Sequence, residues 1–175
     1  MCDCSCDLKS KIRDVPDFPK PGIIFKDITP LLQDQSSFAQ TIERMAKPYQ
    51  DKGIDQVVCI EARGFIFGAP VAYQLGAGVV PVRKLKKLPY KTCQVTYDLE
   101  YGTDTLEMHE DAITPGQKIL LVDDVLATGG TAKAVASLVE KMGGKIQDIV
   151  FLIELEFLHG RDRLKGYDIR SLIKY

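Results

Sequence analysis

The chain has no tryptophan and only two histidines, His109 and His159. Neither histidine has a carboxylate or cysteine at metal-ligand spacing, so a histidine-based metal centre has nothing to build on and neither residue takes a role. No Ser-His-Asp or Cys-His arrangement for covalent catalysis is present either. The charge has no dominant sign, with a formal net of −1, which argues against bulk attraction to nucleic acid or to an anionic membrane. No apolar run approaches the roughly 20 residues that a membrane span requires. The N-terminus lacks a basic region followed by an apolar stretch, so no secretory signal is expected and a cytoplasmic protein is. Cysteine is sparse and odd in number at five, and Cys2, Cys4 and Cys6 crowd the start. Their alternating spacing suits a soft metal, but no fourth ligand lies nearby, and an exposed, oxidation-prone tail is the better description. Cys59 falls in an apolar run and Cys93 in what reads as a polar loop.

The length of 175 residues suits one well-buried domain, and 45% hydrophobic with 27% charged content is ordinary for a globular chain. Residues 8–13 read as a short helix, and Pro16 to Pro21 as a proline-punctuated loop. Ser36 or Ser37 is expected to cap a helix running towards Tyr49, with Pro48 in its last turn. A regular alternation follows: a strand at Val57–Ile60, a helix at Gly64–Leu75, a strand at Val79–Val82, a strand at 119–122, a helix at 131–142 stopped by Gly143-Gly144, and a strand at Ile149–Leu155. Continuous apolar runs alternating with helices predict an α/β fold, a central mostly parallel sheet flanked by helices. Ligands on such sheets bind beyond the carboxyl ends of the strands. Residues 83–110 interrupt the pattern with Arg83, Lys84, Lys86, Lys87 and Lys91, followed by Gln94–Leu99 and Thr105–Met108, which suit a hairpin. A basic insertion of this kind reads as a flexible lid.

The chemistry concentrates in Ile119-Leu120-Leu121-Val122-Asp123-Asp124-Val125-Leu126-Ala127-Thr128-Gly129-Gly130-Thr131. An apolar run ends in two carboxylates, and a turn of small residues then opens a helix. Unpaired amides and the positive dipole end at a helix start form a phosphate cup, and glycine lets the backbone come close. The glycines fit neither a Walker A loop nor the GxGxxG dinucleotide fingerprint. Two carboxylates beside the cup would repel a phosphate, so they serve neighbouring hydroxyls or a metal. A phosphate at one end and a cis-diol nearby describe a ribose 5-phosphate.

This segment resembles the sugar-phosphate signature of the type I phosphoribosyltransferases, which use phosphoribosyl pyrophosphate (PRPP). Further stretches resemble the adenine phosphoribosyltransferase branch: Pro16 to Leu32 its N-terminal hood, Glu61-Ala62-Arg63-Gly64-Phe65 its pyrophosphate loop, and Arg83 to Pro89 with Tyr97 to Gly102 its flexible catalytic loop. The matches run in order from about residue 15 to the C-terminus. The resemblance implies one domain over 1–175, with arm and hood over 1–35 and the catalytic loop over 83–110.

It also implies roles. Ala127, Thr128, Gly129, Gly130 and Thr131 would hold the 5-phosphate, and Asp123 and Asp124 the ribose hydroxyls. Arg63, in a loop that in the family often holds a strained non-proline peptide bond, would grip pyrophosphate together with Arg83, Lys84 and Lys87. The two lysines are expected to act across a homodimer interface. Glu100 would accept the purine proton or orient the ring, and Tyr101 would help close the pocket. Phe25 and Leu155 would sandwich adenine while backbone groups of Ile24 and Lys26 read its 6-position. Some relatives carry Arg where this chain has Lys26, which keeps the main-chain contacts but not a guanidinium's. Mg2+ would be held mainly by PRPP and water, with no dedicated protein ligand set. The implied activity is transfer of phosphoribose from PRPP to adenine, giving AMP and pyrophosphate. Its rivals are a 6-oxopurine phosphoribosyltransferase and a non-catalytic PRPP- or purine-sensing protein of the same fold. A sensor of that kind is expected to carry a DNA-binding domain, for which the chain leaves no room.

Overall fold

The computed structural model describes residues 7–98 and 103–175. The chain divides into two compact units, one ending at Arg44 and the other running from Met45 to Tyr175.

The first unit opens with a single 3-10 turn at Leu8–Lys11, not the helix expected over 8–13, because the chain turns extended at Ile12 to form β1 (Arg13–Pro16). This strand pairs antiparallel with β2 (Ile24–Asp27), so the proline-rich stretch is the connection of a two-stranded sheet. Arg13 and Asp27 face each other in that register and form an ion pair at 2.6 Å. A short helix, α1 (Thr29–Gln33), precedes α2 (Gln35–Ala46). The serines do not cap α2. Asp34 does, its Oδ1 accepting from the Ser37 amide at 2.8 Å and from the Ser36 hydroxyl at 2.8 Å. A carboxylate is the stronger partner for the positive end of a helix, which explains why the cap falls two or three residues earlier. The helix ends at Ala46, and Pro48 lies in a separate 3-10 turn.

The second unit is a seven-stranded sheet. In chain order its elements are β3 (Gln56–Ile60), α3 (Gly64–Leu75), β4 (Gly78–Lys84), β5 (Thr92–Asp98), β6 (Thr103–His109), β7 (Lys118–Leu126), α4 (Gly130–Lys141), β8 (Lys145–Glu154) and β9 (Ile169–Lys174). The spatial order is β5-β6-β4-β3-β7-β8-β9. Strands β4, β3, β7, β8 and β9 are parallel neighbours, and the β5–β6 hairpin continues the sheet antiparallel from β4. The sheet is therefore mostly parallel, as the α/β alternation predicts.

The central strands are apolar throughout because both faces are covered. Val57 and Val58, Ile119 to Val122, and Ile149 to Ile153 are all about fully buried. Val58, Ile60 and Leu121 join Val135, Leu138 and Val139 of α4 in one core, while Gly68 of α3 faces Val57 and Cys59 from the other side. Cys93 is half-buried in β5 rather than in a loop, packed against the α4-side core. Strand β9 had no counterpart in the sequence reading. It is an edge strand, and the charged Arg170 and Lys174 dilute its apolar pattern.

The last turn of the sheet is fastened by a buried ion pair. Glu154 is 3% exposed and accepts from Arg161 Nε at 2.5 Å, from Arg161 Nη2 at 2.8 Å and from the Ser171 hydroxyl. Those Arg161 bonds hold the Glu154 carboxyl below its usual value of 4.5, against the upward push of burial. The stabilisation is thus present above pH 4.5 and lost as pH falls through the lowered folded value. Glu154→Gln should cost about 2 kcal/mol at neutral pH, the range for hydrogen bonds to charged groups. Urea midpoints measured down to pH 3 should fall less steeply for the variant than for the unsubstituted chain, because the Glu154 contribution lost with acid is already absent and only the other carboxylates titrate.

Candidate functional site

Strand β7 does not stop at its apolar run. It pairs with β8 through Asp123↔Phe151, Val125↔Ile153 and Leu126↔Glu154, which carries both carboxylates into the sheet. The two stay close enough for their side chains to interact, and the Asp124 amide donates to Asp123 Oδ1 at 2.9 Å. Asp123 lines a small cavity at the end of the strand, of about 70 Å³, together with Ala127, Thr128 and Gly130. Asp124 turns to Arg63, whose Nε lies 2.7 Å from Asp124 Oδ2. That oxygen is buried and accepts no hydrogen bond among the described residues, so the pair is held by charge rather than by an aligned donor. Burial pushes the Asp123 carboxyl well above its usual range, and the neighbouring Asp124 charge adds to that. Burial raises Asp124 as well, with Arg63 opposing.

The loop between β3 and α3 meets this acidic pair. A Cβ on Gly64 would stand 2.8 Å from Asp123 Oδ1 and 3.2 Å from the Val122 carbonyl, so the position admits no side chain. The Glu61–Ala62 peptide bond, in the loop where an unusual bond was expected, is cis. Both loops sit at carboxyl ends of parallel strands, the place where the sheet topology puts a ligand.

The turn from β7 runs directly into the N-terminus of α4. Gly129 adopts φ +79° as the helix N-cap, and no side chain caps α4. The first helical amides are left without that partner, facing the end of the dipole where anions bind. The helix begins at Gly130, one residue before the expected start. Behind the turn, the Gly129 and Gly160 backbones pass so close that a Cβ on Gly129 would collide with the Gly160 carbonyl oxygen. Gly160 escaped the sequence reading because the contact joins residues far apart in the chain.

The cationic residues lie on β4 and the turn after it. Arg83 Nε donates to Glu61 Oε2 at 2.9 Å, and its Nη1 to the Lys87 carbonyl at 3.2 Å, tying the β3–α3 loop to the lysine turn. Lys84 Nζ is 3.1 Å from Asp104 Oδ2, and that carboxylate raises the Lys84 ammonium above its usual value. Glu107, also unanticipated, organises this turn. It is 3% exposed and accepts from the Lys87 amide at 2.9 Å, the Leu88 amide at 3.0 Å and the Thr92 hydroxyl at 3.2 Å. Burial works to raise its carboxyl, but the amides outweigh that and hold it low. An isolated carboxylate in a hairpin strand gives no sequence signal for such a role.

The remaining expected residues are spread more widely. Ile24, Phe25 and Lys26 lie on β2 of the first unit, with Phe18 and Phe25 edge to face at 5.2 Å and Lys26 Nζ 2.7 Å from Asp14 Oδ1. Leu155 follows β8 in the second unit, its amide donating to the Leu126 carbonyl at 2.9 Å. Glu100 and Tyr101, like Cys2, Cys4 and Cys6, lie outside the described residues. A larger cavity of about 480 Å³ runs along β8 and β9. Its charged lining is largely matched internally, Asp148 accepting from Tyr49 and Lys174 pairing with Glu156, so it has less to offer a ligand than the cup.

A sheet-end anion cup beside a buried acidic pair and an arginine loop defines a sugar-phosphate-binding α/β protein. The Phosphoribosyl transferase domain family matches residues 31–172. The adenine phosphoribosyltransferase of Acidobacterium capsulatum is 60% identical over 168 residues, which cover 96% of this chain and 93% of that protein. The crystal structure of adenine phosphoribosyltransferase from Thermoanaerobacter pseudethanolicus has a TM-score of 0.93 at 56% identity, covering 96% of this chain and 98% of that one. The APRTase of Giardia lamblia, complexed with 9-deazaadenine, has a TM-score of 0.91 at 40% identity over 97% and 96% of the two chains. The chain belongs to the phosphoribosyltransferase family, in its adenine phosphoribosyltransferase branch.

Gly129→Ala tests the cup directly. A left-handed residue with a Cβ costs about 1–3 kcal/mol, and the collision with Gly160 displaces the turn. Calorimetric titration with ribose 5-phosphate should show at least about a tenfold loss of affinity, because the amides that would meet an anion move with it.

Proposed function

We propose that the protein transfers the 5-phosphoribosyl group of PRPP to adenine, releasing AMP and pyrophosphate, as a purine salvage enzyme. The observation that carries this reading is the meeting of the Asp123–Asp124 pair, the Arg63 loop and the α4 cup at one end of the sheet. The branch to which the chain belongs supports adenine as the acceptor.

The residues divide the substrate between them. Amides of Ala127 to Thr131 would bind the 5-phosphate, together with the Thr128 and Thr131 hydroxyls. Asp123 and Asp124 would accept from the ribose 2′- and 3′-hydroxyls, donors that the buried, unbonded Asp124 Oδ2 is suited to receive. Arg63 would pass part of its charge to pyrophosphate, with Arg83, Lys84 and Lys87 completing a positive rim. The purine nitrogen forms its bond to the anomeric carbon as the bond to pyrophosphate breaks, and the purine N–H proton leaves to a base. Glu100 is the candidate acceptor and Tyr101 the candidate closing residue.

The Asp123–Asp124 carboxylates also fit a magnesium ion that arrives on PRPP, since that ion uses one or two carboxylates and keeps substrate oxygens and water. Magnesium would supply charge neutralisation at pyrophosphate. The chain's own cations would orient the leaving group, and the lid over 83–110 would exclude water from the developing cation. We further assign the first 35 residues to the arm and hood, and Phe25 with Leu155 to the two faces of adenine. Ile24 and Lys26, two apart on a strand, direct their backbone groups to one edge, as a 6-position reader requires. A homodimer with Lys84 and Lys87 reaching the partner's site fits the exposure of both lysines. A cytoplasmic location goes with phosphorylated substrates, and among the described residues no helix is long and apolar enough to cross a membrane.

Purified protein with PRPP and magnesium, offered adenine, hypoxanthine, guanine or xanthine separately, decides the matter by nucleotide chromatography. AMP from adenine alone is the expected result. Product from a 6-oxo base overturns the acceptor assignment. No product from any base, with PRPP still bound, overturns the enzyme reading in favour of a sensor.

A further inference from the structure

Tyr97 opens one stretch of the catalytic loop but has no role of its own so far, yet it reaches the turn that begins α4. It lies on β5, half-buried against the core that α4 covers. The Thr131 hydroxyl lies 3.3 Å from the Tyr97 hydroxyl. Thr131 is the second residue of α4, and it lines the cavity beside Asp123. We propose that Tyr97 is a positioning residue of the 5-phosphate site, fixing the direction of the Thr131 hydroxyl. The assignment rests on the phosphate role of the cup given above.

A threonine hydroxyl has one proton to give and two lone pairs to fill. In the structure Thr131 donates to the Tyr97 oxygen at 3.3 Å. A phosphate monoester offers acceptors, so the Thr131 proton turns to it. The Tyr97 proton then turns to the Thr131 lone pair left behind. The chain Tyr97 to Thr131 to phosphate is a run of aligned donors, each strengthening the next. Phenylalanine fills the same space and cannot reverse the bond. Thr131 then has no donor at its back when it meets the anion.

The experiment compares Tyr97→Phe, Thr131→Ser, Thr131→Val and the combinations with Tyr97→Phe, using calorimetric titration with ribose 5-phosphate and steady-state kinetics. Tyr97→Phe should weaken ribose 5-phosphate binding and raise KM for PRPP by about three- to tenfold, with the effect in KM rather than kcat and none on KM for adenine. Tyr73→Phe, at a tyrosine 88% exposed on α3, controls for loss of any tyrosine hydroxyl and should change nothing. In the Thr131→Ser background the Tyr97 effect should persist, and in Thr131→Val it should vanish. Wild-type affinity in Tyr97→Phe, or an undiminished effect on top of Thr131→Val, overturns the assignment. If the unsubstituted protein makes no AMP but ribose 5-phosphate binding still depends on Tyr97, the enzymatic reading falls and this one stands. If AMP forms and Tyr97→Phe binds ribose 5-phosphate normally, this one falls alone.

Discussion

Two carboxylates adjacent in sequence and drawn out of bulk water repel each other, and the second unit is arranged around that repulsion. The Asp124 amide relieves it first, donating to Asp123 Oδ1 at 2.9 Å. Arg63 relieves it again, with Nε 2.7 Å from Asp124 Oδ2. The relief is partial, since both carboxyls stay above their usual range. A buried pair left short of donors has no structural advantage over apolar residues in the same strand. Its electrostatic cost is intelligible if hydroxyls or a cation complete it when substrate binds. Gly64 follows from the same constraint, because the loop bearing Arg63 reaches Asp124 only by passing where a Cβ would strike Asp123.

The positive half of the site is built differently. Its cations sit at the end of β4 and on the turn after it, whose shape comes from one buried carboxylate, Glu107, which gathers the Lys87 and Leu88 amides. The hairpin bearing Glu107 is pinned to β4 at Arg83 and Lys84. One rung of that hairpin, Tyr97 opposite Asp104, touches both halves: Tyr97 meets Thr131 of the cup, and Asp104 meets Lys84. An anion at either end therefore acts on groups carried by a single pair of residues.

What the sequence made legible follows from how each feature is encoded. The strands at 57–60, 119–122 and 149–154 are continuous apolar runs because two layers of helix cover them, and that pattern survives without coordinates. The turn into α4 was readable because its glycines set a backbone conformation within a few consecutive residues. The β1–β2 pair was hidden by proline punctuation, and β9 by the charges that protect an edge. Asp34 displaced the expected serine caps because a carboxylate competes better for the same amides. Glu107, Gly160 and Tyr97 were out of reach for a common reason. Each works through a partner distant in sequence, and a lone Glu, Gly or Tyr in a strand or loop looks like any other.

That asymmetry bears on where variation between related chains is tolerable. Groups that would act through consecutive backbone amides, as proposed for Ala127 to Thr131, are fixed by local conformation, and a change there would alter the ligand contact itself. Lys84 is held at 3.1 Å by Asp104, a contact that depends on hairpin register rather than on a motif. The partner of such a lysine can change without loss of the lysine, provided another group on the hairpin holds it until an anion competes for its charge. The strength of that holding contact then sets how readily the cation is released, since a 60% exposed ammonium gains little from a surface pair and much from a multiply charged pyrophosphate. Weak pairing at Lys84 and near-complete burial at Asp124 are thus complementary. On the proposed reading, the fold fixes the carboxylate that would wait for hydroxyls and leaves loose the cation that would move to its ligand.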